Sequence, residues 1–89
     1  MVSEKVTIIN KQGLHARPAS LFVKEMAAFK SSIMIFHGAK KTDGKRLMQL
    51  MTACIKCGTE VELQCDGPDE AEMLQKAVEL IKSGLGDEI

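Results

Sequence analysis

The chain has 89 residues, 45% of them apolar, with twelve basic and twelve acidic side chains and a formal net charge of zero at pH 7. That length predicts one domain, 1–89, of moderate stability, because a chain of this size buries only about 60–65% of its unfolded surface. Balanced charge leaves no footprint for nucleic acid, three Phe without Trp or Tyr leave no base-stacking platform, and neither a signal peptide nor an apolar run of about eighteen residues is visible, so the sequence reads as cytoplasmic with no membrane partner.

Residues 4–9, Glu4-Lys5-Val6-Thr7-Ile8-Ile9, predict a strand: they are rich in β-branched residues and put Val6 and Ile8 on one face. Asn10-Lys11-Gln12-Gly13 is a polar turn. Pro18 fits a first helical turn, where its missing N–H costs nothing. Ala19, Phe22, Val23, Met26 and Phe29 recur at helical spacing, so a helix is expected over 16–29. Ser31-Ser32 ends it, and Ile33 to His37 predicts a second strand. Gly38 is a turn signal. Residues 40–43 form a weak third strand with little to bury. His37 has no arginine or helix N-terminus nearby in sequence and reads as a surface residue.

A short helix is expected from Arg46 to Ala53. Leu47, Leu50, Met51 and Cys54 follow the i, i+3, i+4, i+7 spacing of a core-facing stripe, which leaves Met48 exposed. The division favoured is Leu50 in the core, Met48 on the surface, and Leu47 and Met51 partly both. Thr59 to Cys65 is the cleanest strand: Val61, Leu63 and Cys65 point one way, and Glu60, Glu62 and Gln64 the other. After Gly67-Pro68, Asp69 reads as an N-cap, with Glu72 three residues on as in a capping box. Leu74, Ala77, Val78 and Ile81 make the buried stripe of a last helix, and Gly84 can take the left-handed position that ends it. The order is βαββαβα. One-faced strands with three amphipathic helices predict an α+β fold.

Two stretches could carry chemistry. Cys54-Ile55-Lys56-Cys57 is a C-x-x-C, with Cys65 further on. Three cysteines make an incomplete zinc set, and Cys54 and Cys65 fall on apolar faces. They read as free core thiols, with no metal and no cofactor. The second stretch is Gly13-Leu14-His15-Ala16-Arg17-Pro18-Ala19-Ser20. It sets His15 at or just outside a helix N-terminus. The backbone N–H groups of Ala16 and Arg17 and the positive end of the helix dipole gather there. Arg17 adds a planar fork of donors. A neutral imidazole is a nucleophile near pH 7, and this set would hold the negative charge of a phosphoryl group it accepted. A lone His before a helix is more often an ordinary loop residue. No acid–base partner or nucleotide loop accompanies it, which argues against a stand-alone enzyme.

Gly13-Leu14-His15-Ala16-Arg17-Pro18-Ala19 resembles the active-site signature of HPr, the histidine phosphocarrier family of the phosphoenolpyruvate:sugar phosphotransferase system. Lys40, Lys45, Leu47-Met48, Leu50-Met51, Gly58 and Gly67-Pro68-Asp69-Glu70 also fall where that family has similar residues. The resemblance implies an open-faced β-sandwich: a four-stranded antiparallel sheet in the order 1-4-2-3, covered on one face by three helices. It implies a carrier, not an enzyme, and a monomer. His15 would accept phosphate at Nδ1 from phospho-enzyme I and pass it to EIIA domains, with Arg17 stabilising the phosphate.

Ser20, Lys24, Arg46, Leu47, Met48 and Met51 would form the partner-docking surface. Lys11, Arg17, Lys24, Lys45 and Arg46 would form a basic rim that steers acidic partners. Two departures stand out. Position 46, where many relatives carry a regulatory serine, is Arg46, and position 54, commonly glycine in the family, is Cys54. A second possibility is an HPr-like paralogue in a regulatory or nitrogen-related branch of the system. Catabolite-repression relatives lack the active histidine, which this chain keeps.

Overall fold

The computed structural model describes residues 1–86. Its elements are β1 (Val2–Thr7), α1 (Ala16–Met26), β2 (Ser32–His37), β3 (Lys40–Asp43), α2 (Leu47–Thr52), β4 (Glu60–Asp66) and α3 (Glu70–Lys82). All strand pairs are antiparallel and the sheet order is β1-β4-β2-β3. This is the expected α+β open-faced sandwich, with one sheet and three helices.

Alternation along β4 sets the frame. Val61, Leu63 and Cys65 are buried, and register places them beside Val6 on β1 and Ile33 and Ile35 on β2. Phe22 and Met26 of α1, Leu50 of α2 and Ile81 of α3 close over that face. Each such fully buried side chain contributes about 1.5–3 kcal/mol relative to exposure. The other face carries the row Lys5, Glu62, Phe36 and Lys41, aligned across all four strands.

The first strand runs from residue 2 to 7 rather than 4 to 9. Past Thr7 the ladder turns irregular: Ile8 donates to Thr59 O at 2.9 Å and its carbonyl accepts from Gly58 at 2.7 Å. Ile8 is still buried on the side of Val6. Helix α1 stops at Met26, three residues early, because its last turn tightens: Phe29 N–H reaches Met26 O at 3.1 Å.

Helix α3 buries Leu74, Ala77, Val78 and Ile81 as expected, and Met73 besides. It ends in a Schellman motif. Gly84, at φ +87, donates to Ile81 O at 3.1 Å, and Leu85 donates to Leu80 O at 3.0 Å. At its start, Asp69 occupies the N-cap without a capping side-chain bond. Its carboxylate turns away, accepting from Lys30 N at 2.9 Å, from Ser31 N at 2.9 Å and from Ser31 Oγ. Three donors outcompete one capping bond, so the expected capping box does not form.

Two further expectations are corrected. His37 is buried, because the parity of β2 puts it on the side of Ile33 and Ile35; its Nε2 lies 3.0 Å from the buried Thr42 Oγ1. Burial first, and then the charge of Lys40, hold its pKa below the ordinary value. Cys54 is exposed rather than core. Helix α2 ends at Thr52, and Cys54 swings into the left-handed region at φ +53, off the apolar stripe.

Candidate functional site

His15 is the N-cap residue of α1. Its backbone is extended at φ −80 and ψ −172, its carbonyl accepts from Ala19 N at 3.0 Å, and its ring is half-buried. The side chain makes no capping bond to the helix. The next two N–H groups, of Ala16 and Arg17, point out of the helix end, and Pro18 has none to offer. The first turn holds no acidic residue to offset the dipole, and Arg17 is exposed beside it. The positive potential of this helix end suits an anion next to the imidazole.

Hydrogen bonds among the described residues build the loop that presents His15. Gly13 donates to Asn10 O at 2.8 Å, closing a turn at φ +69. Asn10 is buried and its Nδ2 donates to Gly84 O at 2.7 Å, tying that turn to the cap of α3. Leu14 is buried and donates to Ile55 O at 2.9 Å. Ile55 in turn sits in the loop that Gly58 pins to Ile8. Sequence reasoning missed Asn10, Leu14 and Ile55. Asn10 reads as an ordinary turn residue, and the two backbone partners carry no local signal at all.

The α2 side chains split as expected except at Met51, which is exposed where a partly buried place was expected. Met48 is 69% exposed and Met51 41%, Leu47 is half-buried against the core, and Leu50 is fully buried. Ser20 and Lys24 are exposed on α1. Helices α1 and α2 pack together and run antiparallel. Their two ends fix this: Leu14 meets Ile55 at one, and Lys45 Nζ donates to Phe29 O at 2.8 Å at the other. Lys45 and its neighbour Arg46 therefore lie by the C-terminal end of α1, not beside His15. The basic rim does not gather at one point. Arg46 is the exposed N-cap of α2, and its Nε lies 3.3 Å from Asp43 Oδ2.

The family model for the PTS HPr component phosphorylation site matches residues 2–83. The chain belongs to the HPr family. Members of this family are phosphocarriers of the phosphotransferase system, not catalysts. HPr of Neisseria meningitidis serogroup A is 37% identical over 87 residues, which covers 98% of each chain. The HPr-like protein Crh of Bacillus subtilis is 45% identical over 76 residues, covering 85% of this chain and 89% of Crh. A crystal structure of HPr from Thermoanaerobacter tengcongensis superposes with a TM-score of 0.94 at 39% identity, covering 100% of both chains. The HPr fold thus accounts for every element of the chain, and the loop around His15 lies inside the matched segment.

Proposed function

We propose that this chain is a cytoplasmic, monomeric phosphocarrier. It takes a phosphoryl group from phospho-enzyme I on His15 and passes it to EIIA domains in sugar uptake. The observation that carries the reading is His15 standing as the N-cap of α1, with the N–H groups of Ala16 and Arg17 and the Arg17 guanidinium at the same end. In the transfer, the Nδ1 lone pair forms a bond to phosphorus. The donor's bond to phosphorus breaks, and the leaving atom keeps that electron pair. Nδ1 must enter unprotonated, with the ring proton on Nε2. The dianionic phosphoryl group then rests against donors already in place. Exposed Met48 and Met51, with Ser20, Lys24, Leu47 and Arg46, form the surface on which enzyme I and EIIA dock in turn. The core closes within one chain, which supports the monomer.

Incubation with enzyme I and phosphoenolpyruvate tests this. It should give an acid-labile, base-stable phosphate on His15 that added EIIA removes. Undiminished labelling of His15→Ala overturns it. Similarity to Crh favours one alternative, an HPr-like paralogue in a regulatory or nitrogen-related branch. Sugar uptake restored in a strain lacking its own carrier separates the two.

A further inference from the structure

Cys54-Ile55-Lys56-Cys57 is the motif that the phosphocarrier reading leaves unused. Both of its thiols are exposed and free, whereas Cys65 is wholly buried on β4 and burial pushes its thiol up to about 11. The loop they flank is central to the fold. Ile55 O accepts from Leu14 at 2.9 Å, Lys56 O accepts from Thr59 at 3.1 Å, and Gly58 donates to Ile8 O at 2.7 Å. A change in this loop reaches the residue before His15 through a single hydrogen bond.

The two exposed thiols differ in their surroundings. Cys54 lines a hollow of about 400 Å³ with His37, Lys40, Ala53 and Lys56; Cys57 does not. Among the described residues, no Asp or Glu lines this hollow. Among the described residues, neither Lys40 nor Lys56 forms an ion pair. The Cys54 thiol thus opens onto a space large enough for a small molecule, and the lining includes two lysines whose ammonium groups attract carboxylates.

We propose that Cys54 is a thiolation site for anionic low-molecular-weight disulfides of the glutathione disulfide class, and that the adduct loosens the hold of residues 55–58 on the His15 loop. The Cys54 Sγ, as thiolate, attacks one sulfur of R–S–S–R. A new Sγ–S bond forms and the old S–S bond breaks. The leaving RS⁻ takes up the proton that Cys54 released. The small disulfide is the oxidant, one RSH departs, and a second thiol reverses the step. An adduct seated against Lys56 and Ala53 crowds the Ile55 peptide, which lies between them and whose carbonyl holds Leu14. A consequence for phosphate acceptance rests on the phosphocarrier reading; the site itself and its effect on Leu14 do not.

The test treats the intact folded protein with oxidised glutathione and, in parallel, with the uncharged 2-hydroxyethyl disulfide. Peptide mapping should find glutathione on Cys54 several-fold ahead of Cys57 and absent from Cys65. Lys40→Gln with Lys56→Gln should slow the glutathione reaction several-fold at low salt and leave the uncharged reaction unchanged. Amide exchange at Leu14 should quicken in the adduct and return after dithiothreitol. Cys54→Gly, which suits φ +53, should fold and take no adduct at 54, and Cys57→Ser should keep it. Equal labelling of Cys54 and Cys57, equal lysine dependence for both reagents, an internal Cys54–Cys57 disulfide in place of the adduct, or unchanged Leu14 exchange would each overturn the proposal.

Discussion

Lys45 reaches across to the turn that follows α1, and its ammonium donates to the carbonyl of Phe29 at 2.8 Å. A cation by the C-terminal end of a helix meets the negative end of its dipole. The contact also anchors the start of α2 at that end, whereas His15 caps the opposite, N-terminal end of α1.

Arg46 can therefore act on transfer through docking and charge, not through the imidazole. Arg46→Glu is expected to slow phosphorylation by enzyme I up to about tenfold at low ionic strength, with the difference fading in salt. Initial rates at two salt concentrations check this. Arginine has no hydroxyl, so HPr kinase with ATP should leave no label. The nearby Thr52 hydroxyl is turned back onto Met48 O at 2.9 Å.

Arg17→Ala should slow transfer about a hundredfold or more while leaving the urea midpoint almost unmoved, because the side chain is exposed. A large fall in stability with normal transfer would contradict the role given to it.

Gly13→Ala should cost at least about 2 kcal/mol of stability. Gly13 holds φ +69, and an added Cβ would run into the Ile55 carbonyl and Lys56 Cα. Ile55 is also the anchor of Leu14, so the same variant should raise amide exchange at Leu14. Equilibrium unfolding and exchange on one sample read both effects.

Ser31 and Asp69 predict the acid limb of the stability curve. Hydrogen bonds from the Ser31 hydroxyl and then the Lys30 backbone hold the Asp69 carboxyl at about 2, below its ordinary 3.8. A depressed folded value means the stabilisation is complete above pH about 4 and is lost as pH falls through 2. Asp69→Asn should lower the urea midpoint at pH 7 and flatten its dependence between pH 4 and 2.

His37 acts at higher pH. Its folded pKa lies below 6.5, chiefly through burial. As pH falls below about 6.5 the unfolded chain takes up a proton before the folded one does, so stability declines. His37→Gln should remove that part of the slope between pH 6.5 and 5, measured by urea unfolding.

Local patterns carried most of this fold. Val61, Leu63 and Cys65 declare their face by alternation alone, and Phe22 and Met26 declare theirs by helical spacing. The place of His15 at the start of α1 was legible because Pro18 marks a first helical turn. What stayed hidden depends on contacts distant in sequence. Asp69 looks like a helix cap until Ser31, 38 residues away, supplies its donors. His37 looks like a surface residue until β3 brings Thr42 alongside. Cys54 looks like the next step of a helical stripe, yet α2 ends before reaching it. The Leu14–Ile55 bond joins two backbone groups, and no side-chain code announces it.

Sheet order has a consequence for synthesis. β1 is made first, but among the described residues its only strand partner is β4: Val6 faces Val61, and Val2 faces Cys65. On a ribosome the N-terminal strand must wait, unpaired, until residue 66 has cleared the exit tunnel, and the Asn10–Gly84 bond waits longer still. Meanwhile β2 and β3 can pair through a two-residue turn at Gly38 and Ala39 as soon as they emerge. The nascent chain should therefore become protease-resistant from its middle outwards. Stalled chains exposing residues only to 58 should lose β1 to a pulse of protease, whereas chains exposing all of α3 keep it. Protection of β1 in the shorter chains would contradict this order.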